Sequence, residues 1–509
     1  MSPPRTRNPP VFWSASAIIG VLVVLGLVLP GGLGAAASRV QSAVTATMGW
    51  FYVLVVAVLL LVSVYLAVSR YGNLKLGPAG SKPAYRFVTW VSMLFATGMG
   101  IGLLFFSVAE PIQHYGAPPD AAPRTIEAAR EAMSITFFHW GFHAWAIYAI
   151  AGLSMAYFAF RRGLPLTMKG AFCAMFGRNA DGWLGNAIDV LTICATLFGI
   201  ATSLGLGILQ TSAGLHYLFG VPQSLWIQQA FIAGAIALTI ISIVLGLDRG
   251  LRRLSEWNVI CAVALMLFVL FAGPTAFLVN ALIENLGSYF TDLVGRTFRV
   301  YAREQGDWFG KWTLFYWAWW ISWSPFVGTF IARISRGRTI REFVVGVLLV
   351  PSLFCFLWMT FFGDSAIALD RGVAEGGLSA AVANDVTVAL FQFLEYLPAG
   401  ALTSSLVVLL ILLFFVTHAD SGALVIDMVA SGGQINTPTW QRIYWCICIG
   451  AVSALMLASG GLVALQTATL VTALPFSCVL LLLALGLVRE VRAAAPAASS
   501  HEPVARTGS

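Results

Sequence analysis

The sequence predicts an all-α integral membrane protein with twelve transmembrane helices, and three observations carry that prediction. The first is composition: of 509 residues, 59% are hydrophobic and only 10% charged, against roughly 25% charged in an ordinary soluble domain. The second is run length. Val11 to Leu29, Trp50 to Val68 and Leu462 to Val488 each match or exceed the roughly 20 helical residues that cross a hydrocarbon core of about 30 Å. Only helices and closed barrels satisfy their backbone hydrogen bonds in lipid, and these runs are too long and too uniformly apolar for alternating barrel strands. The third is charge placement. With twelve crossings and the N-terminus inside, all of the 29 Lys and Arg lie in cytoplasmic segments except Arg39, Arg124, Arg130, Arg296, Arg299, Arg303, Lys311 and Arg371. The positive-inside rule then predicts an inner (plasma) membrane protein with both termini cytoplasmic. The net charge of +7 is thereby a topology signal, and no nucleic-acid partner is expected.

Taken in order, the apolar periodicity places helices near 11–29, 49–69, 87–107, 133–160, 185–217, 224–246, 256–284, 308–333, 341–363, 396–429, 441–460 and 463–488. Residues 1–10 form a short cytoplasmic lead, and 11–86 hold the first two spans. Arg5 and Arg7, the apolar run and Gly34 to Ser38 also match a cleavable signal peptide. Reading that run as the first span keeps the charge count intact. Segment 285–307, with Leu286, Tyr289, Phe290, Leu293 and Phe298 among polar residues, reads as an amphipathic connecting helix lying along the membrane surface. Segment 489–509 is a short cytoplasmic tail, and after Arg492 its Ala, Pro and Ser predict disorder. The seven cysteines have no metal-ligand spacing and read as small buried hydrophobes.

Two spans carry backbone interruptions. Gly98, Gly100 and Gly102 fall within five residues of the third helix, and Pro325 follows Ser324 in the eighth. Glycine frees the backbone, and proline removes a helical hydrogen bond and clashes with the preceding turn. The interrupted spans are five helices apart. That spacing predicts two inverted five-helix repeats, 87–284 and 308–488, with substrate and ion sites at the broken helices near the midplane.

The eighth helix also contains Trp312, Phe315, Tyr316, Trp317, Trp319, Trp320 and Trp323. An interfacial aromatic belt suits Trp312, but Trp319, Trp320 and Trp323 fall near the helix centre, far from either headgroup layer. The fourth helix supplies Trp140, Trp145 and Tyr148; with Trp140 set at 0°, they lie at about 140° and about 80° on a helical wheel, one broad face. Facing aromatic sets around a water-poor space suit a diffuse organic cation, at about 0.5–2 kcal/mol per ring. Three or four rings supply much of the roughly 8 kcal/mol of micromolar binding. A quaternary ammonium fits best because it has no N–H donors to leave unsatisfied.

His139 and His143 stand at i, i+4, a metal-site spacing, but on the wheel they lie opposite the aromatic face and no third ligand joins them; hydrogen bonds to neighbouring helices are expected instead. Asp189 and Asp420 are intramembrane carboxyl groups, which usually face a cavity, an ion path or a partner. With Thr417 and His418, Asp420 places hydroxyl, imidazole and carboxyl groups at the depth of the aromatic set.

The segments Gly98 to Gly102, Phe138-His-Trp140 with Trp145 and Tyr148, Phe315 to Gly328, and Ala332 to Arg338 resemble the betaine/choline/carnitine transporter family, over roughly residues 10 to 488. The resemblance implies two leading helices plus a 5+5 inverted repeat (leucine-transporter-like), a homotrimer in the lipid bilayer, alternating access and no cofactor. It implies Trp140, Trp145, Tyr148 and Trp320 as a box around the trimethylammonium group, with Phe315, Trp319 and Trp323 lining the route. In sodium-dependent members, carbonyls matching Ala96 and Met99 join two hydroxyls; here one matches Thr417 and the other position is His418. A second sodium site uses paired threonines, of which Thr196 matches and Ile200 does not. These departures point to H+ rather than Na+ as the coupling ion, with the proton on His418. Phe105 to Pro111 is similar to the proton-coupled choline branch, yet Gly102 stands where that branch has an acidic residue, which favours zwitterionic glycine betaine over choline. The family's osmosensing members carry a long basic C-terminal helix; the short mixed-charge tail here predicts no strong osmotic activation.

The rivals are a sodium-coupled amino-acid carrier of the same architecture, an ion channel, and a membrane enzyme or electron-transfer subunit. An amino-acid carrier wants acceptors around a primary ammonium, a channel a ring of intramembrane charge, and an electron carrier facing histidine ligands. None of these patterns is present in the sequence, and no catalytic role is predicted.

Overall fold

Lipid offers the backbone no hydrogen-bond partner, so a chain this apolar folds into helices. The computed structural model describes residues 8–98, 100–177, 182–246, 248–303, 307–434 and 436–499. Among these the structure is helical throughout, apart from turns, loops and an isolated bridge between Lys75 and Thr339. The order is α1 (Pro9–Val28), α2 (Pro30–Val68), α3 (Phe87–Thr97), α4 (Ile101–Gly116), α5 (Ile126–Trp140), α6 (Phe142–Ala156), α7 (Met168–Phe176), α8 (Trp183–Phe219), α9 (Leu225–Leu245) and α10 (Asp248–Ala272). It continues with α11 (Thr275–Thr297), α12 (Phe315–Ile334), α13 (Ile340–Met359), α14 (Ser365–Arg371), α15 (Gly377–Asn384), α16 (Ala389–Glu395), α17 (Gly400–Ala430) and α18 (Thr439–Ser499). Nine of the described helical runs are long and apolar enough to cross a membrane, with α5 and α6 counted together as Ile126–Arg161, and ten when α3 and α4 count as one bent span. The chain is a multi-pass membrane protein.

Burial separates a centre from a rim. The apolar window of α8 is 94% buried and that of α5 and α6 is 89% buried, whereas those of α1 and α10 are each only 28% buried. Helix α12 packs against α6, α8 and α18, so the aromatic segment sits inside the bundle. Outer helices instead turn Leu27, Val28, Leu238 and Phe271 outward, the pattern expected where lipid is the solvent.

Several boundaries differ from the sequence reading, each for a local reason. Helix α2 begins at Pro30 instead of near 49, because the Ala- and Gly-rich stretch ahead of the apolar run continues the helix. The predicted helix over 133–160 is two helices, α5 and α6, broken at Gly141 (φ −92°, ψ −144°). No side chain fits there: a Cβ would lie 2.6 Å from the Phe137 carbonyl oxygen and 2.7 Å from the Tyr289 hydroxyl. That hydroxyl accepts the N–H of Phe142, freed by the break, at 3.0 Å. The span read as 256–284 ends at Gly273-Pro274, so the connecting helix is α11 and begins at Thr275, not at 285. Helix α18 runs to Ser499, past the point at which disorder was expected after Arg492, in keeping with the helix propensity of its alanines; residues 500–509 lie outside the described residues. Within it Gly460 and Gly461 leave helical geometry, dividing it where the sequence ends one span at 460 and starts another at 463.

The two expected interruptions behave differently. Helices α3 and α4 meet at a 60° bend across the glycine-rich segment. Helix α12, by contrast, runs unbroken through Pro325. The carbonyl of Ile321, which proline leaves without its amide donor, accepts the Ser324 hydroxyl at 2.7 Å, so the predicted break is absent. Ahead of α12, residues Gly310–Leu314 form a π-helical turn.

Removing the Tyr289 hydroxyl strands the half-buried Phe142 N–H at the α5–α6 break, at a cost of about 1 kcal/mol. Tyr289→Phe is therefore expected to lower the unfolding midpoint in detergent, and an unchanged midpoint would show that the N–H finds another partner.

Candidate functional site

Where α3 gives way to α4, the bend opens a cavity of about 670 Å³. Its wall includes Ala96, Gly98 and Gly100 from the bend, Trp140, Trp145 and Tyr148 from α5 and α6, Trp319, Trp320 and Trp323 from α12, and Thr417, His418 and Ser421 from α17. At one end it reaches Tyr85, Phe330 and Arg333, the end where α3 begins and α12 finishes. The opposite side is closed by packed rings, including Phe106 against Phe315 at 6.2 Å and against Trp319 at 5.9 Å.

Four rings of the cavity wall stand edge to face around one corner. Trp140 meets Trp320 at 5.0 Å and 70°, Tyr148 meets Trp320 at 6.3 Å and 75°, and Trp145 meets Tyr148 at 5.3 Å and 71°. Trp319 stacks beside Trp320 at 4.8 Å and 14°. Such crossed rings present their negative faces to a common space, the arrangement that attracts an organic cation. The straight-helix wheel relating Trp140 to Trp145 and Tyr148 does not apply across Gly141. The rings nevertheless converge, because α6 resumes packed against α12.

Four of these indoles are fixed by their N–H. Trp140 donates to Glu110 Oε2 at 2.8 Å, Trp319 to Ser203 Oγ at 3.1 Å, Trp320 to the His139 carbonyl at 2.9 Å and Trp323 to the Gly199 carbonyl at 2.8 Å. A buried N–H left unpaired is costly, so these bonds select the ring orientations. Gly102 contributes by what it lacks. A Cβ there would lie 2.3 Å from Cη2 of Trp319, so the bare backbone makes room for the stacked indole.

At the bend His418 lies close to the backbone, its Cε1 3.3 Å from the position a Cβ on Gly100 would take. Its ring packs against Trp323 at 5.4 Å and Phe414 at 5.7 Å, and its Nδ1 has no hydrogen-bond partner among the described residues. The Thr417 hydroxyl is engaged with the carbonyls of Leu413 and Phe414 at 3.0 and 3.1 Å.

Other candidates lie elsewhere. Asp420 turns from the cavity and forms a two-oxygen pair with Arg442 at 2.7 Å, because a carboxylate in a span takes the nearest guanidinium. Phe315 does not line the cavity; it backs Trp319 at 5.4 Å. Thr196 and Asp189 are buried on α8 away from the wall, and Met99 lies outside the described residues. His143 bonds Thr297 at 2.8 Å, the neighbouring-helix bond expected of it. His139 is not turned away from the aromatics as the wheel predicted: it stacks on Tyr316 at 4.6 Å and bonds Glu110 and Thr313.

Sequence reasoning does not single out Glu110. It stands inside a run similar to family members, although a carboxyl group in an apolar stretch is itself a signal. Ser203, Tyr316 and Ser421 carry no such signal, because small polar residues in spans are common.

A multi-pass helical protein with a bent helix and a central aromatic cavity belongs to the class of membrane transporters, and comparison with known proteins agrees. The family model for the betaine/carnitine/choline family transporters matches residues 10–496. A glycine betaine transporter of Acinetobacter baylyi is 45% identical over 487 residues, covering 95% of this chain and 73% of that protein. A high-affinity choline transport protein of Escherichia coli K12 is 42% identical over 493 residues, covering 95% and 72%. An uncharacterized transporter of Mycobacterium tuberculosis is 46% identical over 483 residues, covering 94% and 81%. The chain belongs to the betaine/carnitine/choline transporter family; it is a transporter and not an enzyme.

Gly102→Val puts branched carbons where the Trp319 ring lies and, by the usual cost of overpacking, destabilises by about 1–3 kcal/mol. The expected result is a lower unfolding midpoint in detergent, and a midpoint equal to that of the unsubstituted protein would mean that the indole moves aside freely.

Proposed function

We propose that this chain is a secondary active transporter that moves glycine betaine or choline by alternating access, coupled to protons. The single observation that supports the substrate reading best is the convergence of Trp140, Trp145, Tyr148 and Trp320 on the wall of a cavity large enough for a small quaternary-ammonium compound. The trimethylammonium group occupies that corner. Trp319 and Trp323 flank it, and Phe315 supports Trp319 from behind.

The coupling reading rests on the α3–α4 bend. His418 faces the carbonyl-rich bend with a free ring nitrogen, and imidazole takes up and releases a proton near neutral pH. The Thr417 hydroxyl donates to backbone carbonyls and keeps its lone pairs, so the preference for the proton over sodium rests on His418, which stands where sodium-dependent members carry a second hydroxyl. Ala96 contributes backbone at the bend, and neither Thr196 nor Asp420 takes part.

Twelve crossings follow from dividing α18 at Gly460 and adding α12 to the apolar spans, with two leading helices and two inverted repeats of five. Both termini are then on the cytoplasmic side of the inner membrane. The cavity mouth at Tyr85 and Arg333 is on that side too, so the state described faces inward. A homotrimer belongs to the same reading, and the outward apolar face of α11, with Phe277, Ile283, Phe290 and Val294 exposed, offers a surface to bury.

Uptake of radiolabelled glycine betaine and choline into proteoliposomes, with either a proton or a sodium gradient imposed at controlled membrane potential, tests both halves. Accumulation on the proton gradient alone is expected. Accumulation requiring sodium would overturn the His418 assignment. Trp320→Ala is expected to raise KM about tenfold or more, the loss of one well-placed ring, and His418→Ala to abolish proton-driven accumulation while leaving binding measurable.

A further inference from the structure

The cavity wall itself bears no carboxylate among the described residues, but one lies directly behind it. Glu110 on α4 is fully buried and receives three contacts: Trp140 Nε1 at 2.8 Å and the Tyr316 hydroxyl at 2.5 Å on Oε2, and His139 Nδ1 at 2.6 Å on Oε1. The indole only donates, so Oε2 is an acceptor wherever the proton between Oε1 and His139 resides. Donors gathered on a buried carboxyl group work toward the anion, against the desolvation that favours its neutral form.

Among the described residues no lysine or arginine pairs with this carboxylate. Its ion-pair partners among the described residues are two imidazoles, His139 and, at 3.5 Å, His114. Arg296 acts on those imidazoles from α11, but is itself held by Ser134 and Asp292. Asp364 and Asp370, on segments packed against α4, are tied to Asn285 and to Ser379. Glu110, His114 and His139 bring donor atoms within 4.8 Å of one another, yet this is a poor metal site. Both nitrogens of His139 and both oxygens of Glu110 are already bonded, leaving only His114 to offer a ligand where a zinc-type site needs at least three protein ligands.

We propose that Glu110 is the positioning residue of the aromatic cage and its hidden counter-ion, holding the Trp140 ring by its N–H and carrying negative charge through that indole to the quaternary ammonium. A hydrogen bond from an indole N–H to an anion pushes electron density onto the ring, strengthening the quadrupole a cation feels. The charge also acts directly across a water-poor wall, where screening is weak. Gly102 cannot supply an acidic group, because Trp319 fills the space a side chain would need; Glu110 supplies the charge from behind. The substrate that gains most is a net cation. A zwitterion's own carboxylate is repelled by the same charge, so the arrangement favours choline over glycine betaine. The inference rests on the quaternary-ammonium reading above.

The test is direct binding of choline and of glycine betaine to the purified full-length protein in detergent, by isothermal titration, for the unsubstituted protein, Glu110→Gln, Glu110→Asp and Trp140→Phe. Gln keeps an oxygen for the Trp140 N–H and removes the charge; Phe keeps a ring face and removes the N–H. The expected result is about a tenfold weakening of choline binding by Glu110→Gln, about a threefold weakening for glycine betaine, and partial retention in Glu110→Asp. Trp140→Phe should lose the same preference for the cation, which keeps the test decisive if Glu110→Gln does not fold. Equal losses for the two ligands, or no loss, would overturn the counter-ion role. If the unsubstituted protein binds neither ligand, the quaternary-ammonium reading itself fails, a result distinct from failure of the Glu110 assignment.

Discussion

An indole N–H inside a membrane protein gains by finding an acceptor, because leaving it unpaired costs free energy on the scale of a whole hydrogen bond. Trp308, Trp358 and Trp445 go without one among the described residues, but the cavity is different. Four cavity tryptophans meet that demand on four different groups: the Glu110 carboxylate, the Ser203 hydroxyl and the carbonyls of His139 and Gly199. These acceptors lie on α4, α5 and α8. The bonds that orient the rings therefore also tie α12 to α5 and α8, and α5 to α4. The cage and the packing of the central helices are one set of interactions.

The small residues make that set sterically possible. Gly141 breaks α5 from α6 where no side chain fits, and the break turns Trp145 and Tyr148 toward Trp320. Gly102 leaves room for Trp319. At the α3–α4 bend the glycine-rich backbone gives up helical hydrogen bonding and opens the cavity beside His418. Backbone off helical geometry at membrane depth is tolerated where it lines such a cavity, so the break and the cavity sustain each other.

Proline and glycine show how local context decides the outcome of a helix-breaking residue. Pro325 sits in a continuous helix because Ser324, one residue earlier, returns a hydroxyl to the orphaned carbonyl of Ile321. Gly460 and Gly461 have no such repair and leave helical geometry within α18. The carboxylates divide in the same way. Asp420 meets a guanidinium and is spent on Arg442, whereas Glu110 meets an indole, a phenol and an imidazole.

The sequence by itself determined the all-helical membrane character, the aromatic richness of the central helices and the bend at the glycine-rich segment. These rest on composition, run length and residue type, which act locally or additively along the chain. Only the tertiary structure decided that α5 and α6 are separate helices, that Asp420 is paired with Arg442, that Phe315 stands behind the wall instead of on it, and that Glu110 backs Trp140. A helical wheel assumes one straight axis, and Gly141 ends that assumption through contacts with Tyr289 and Phe356, far away in sequence. Which polar group a buried carboxylate or indole meets depends on what the fold brings within about 3 Å, and no spacing along the chain encodes that distance.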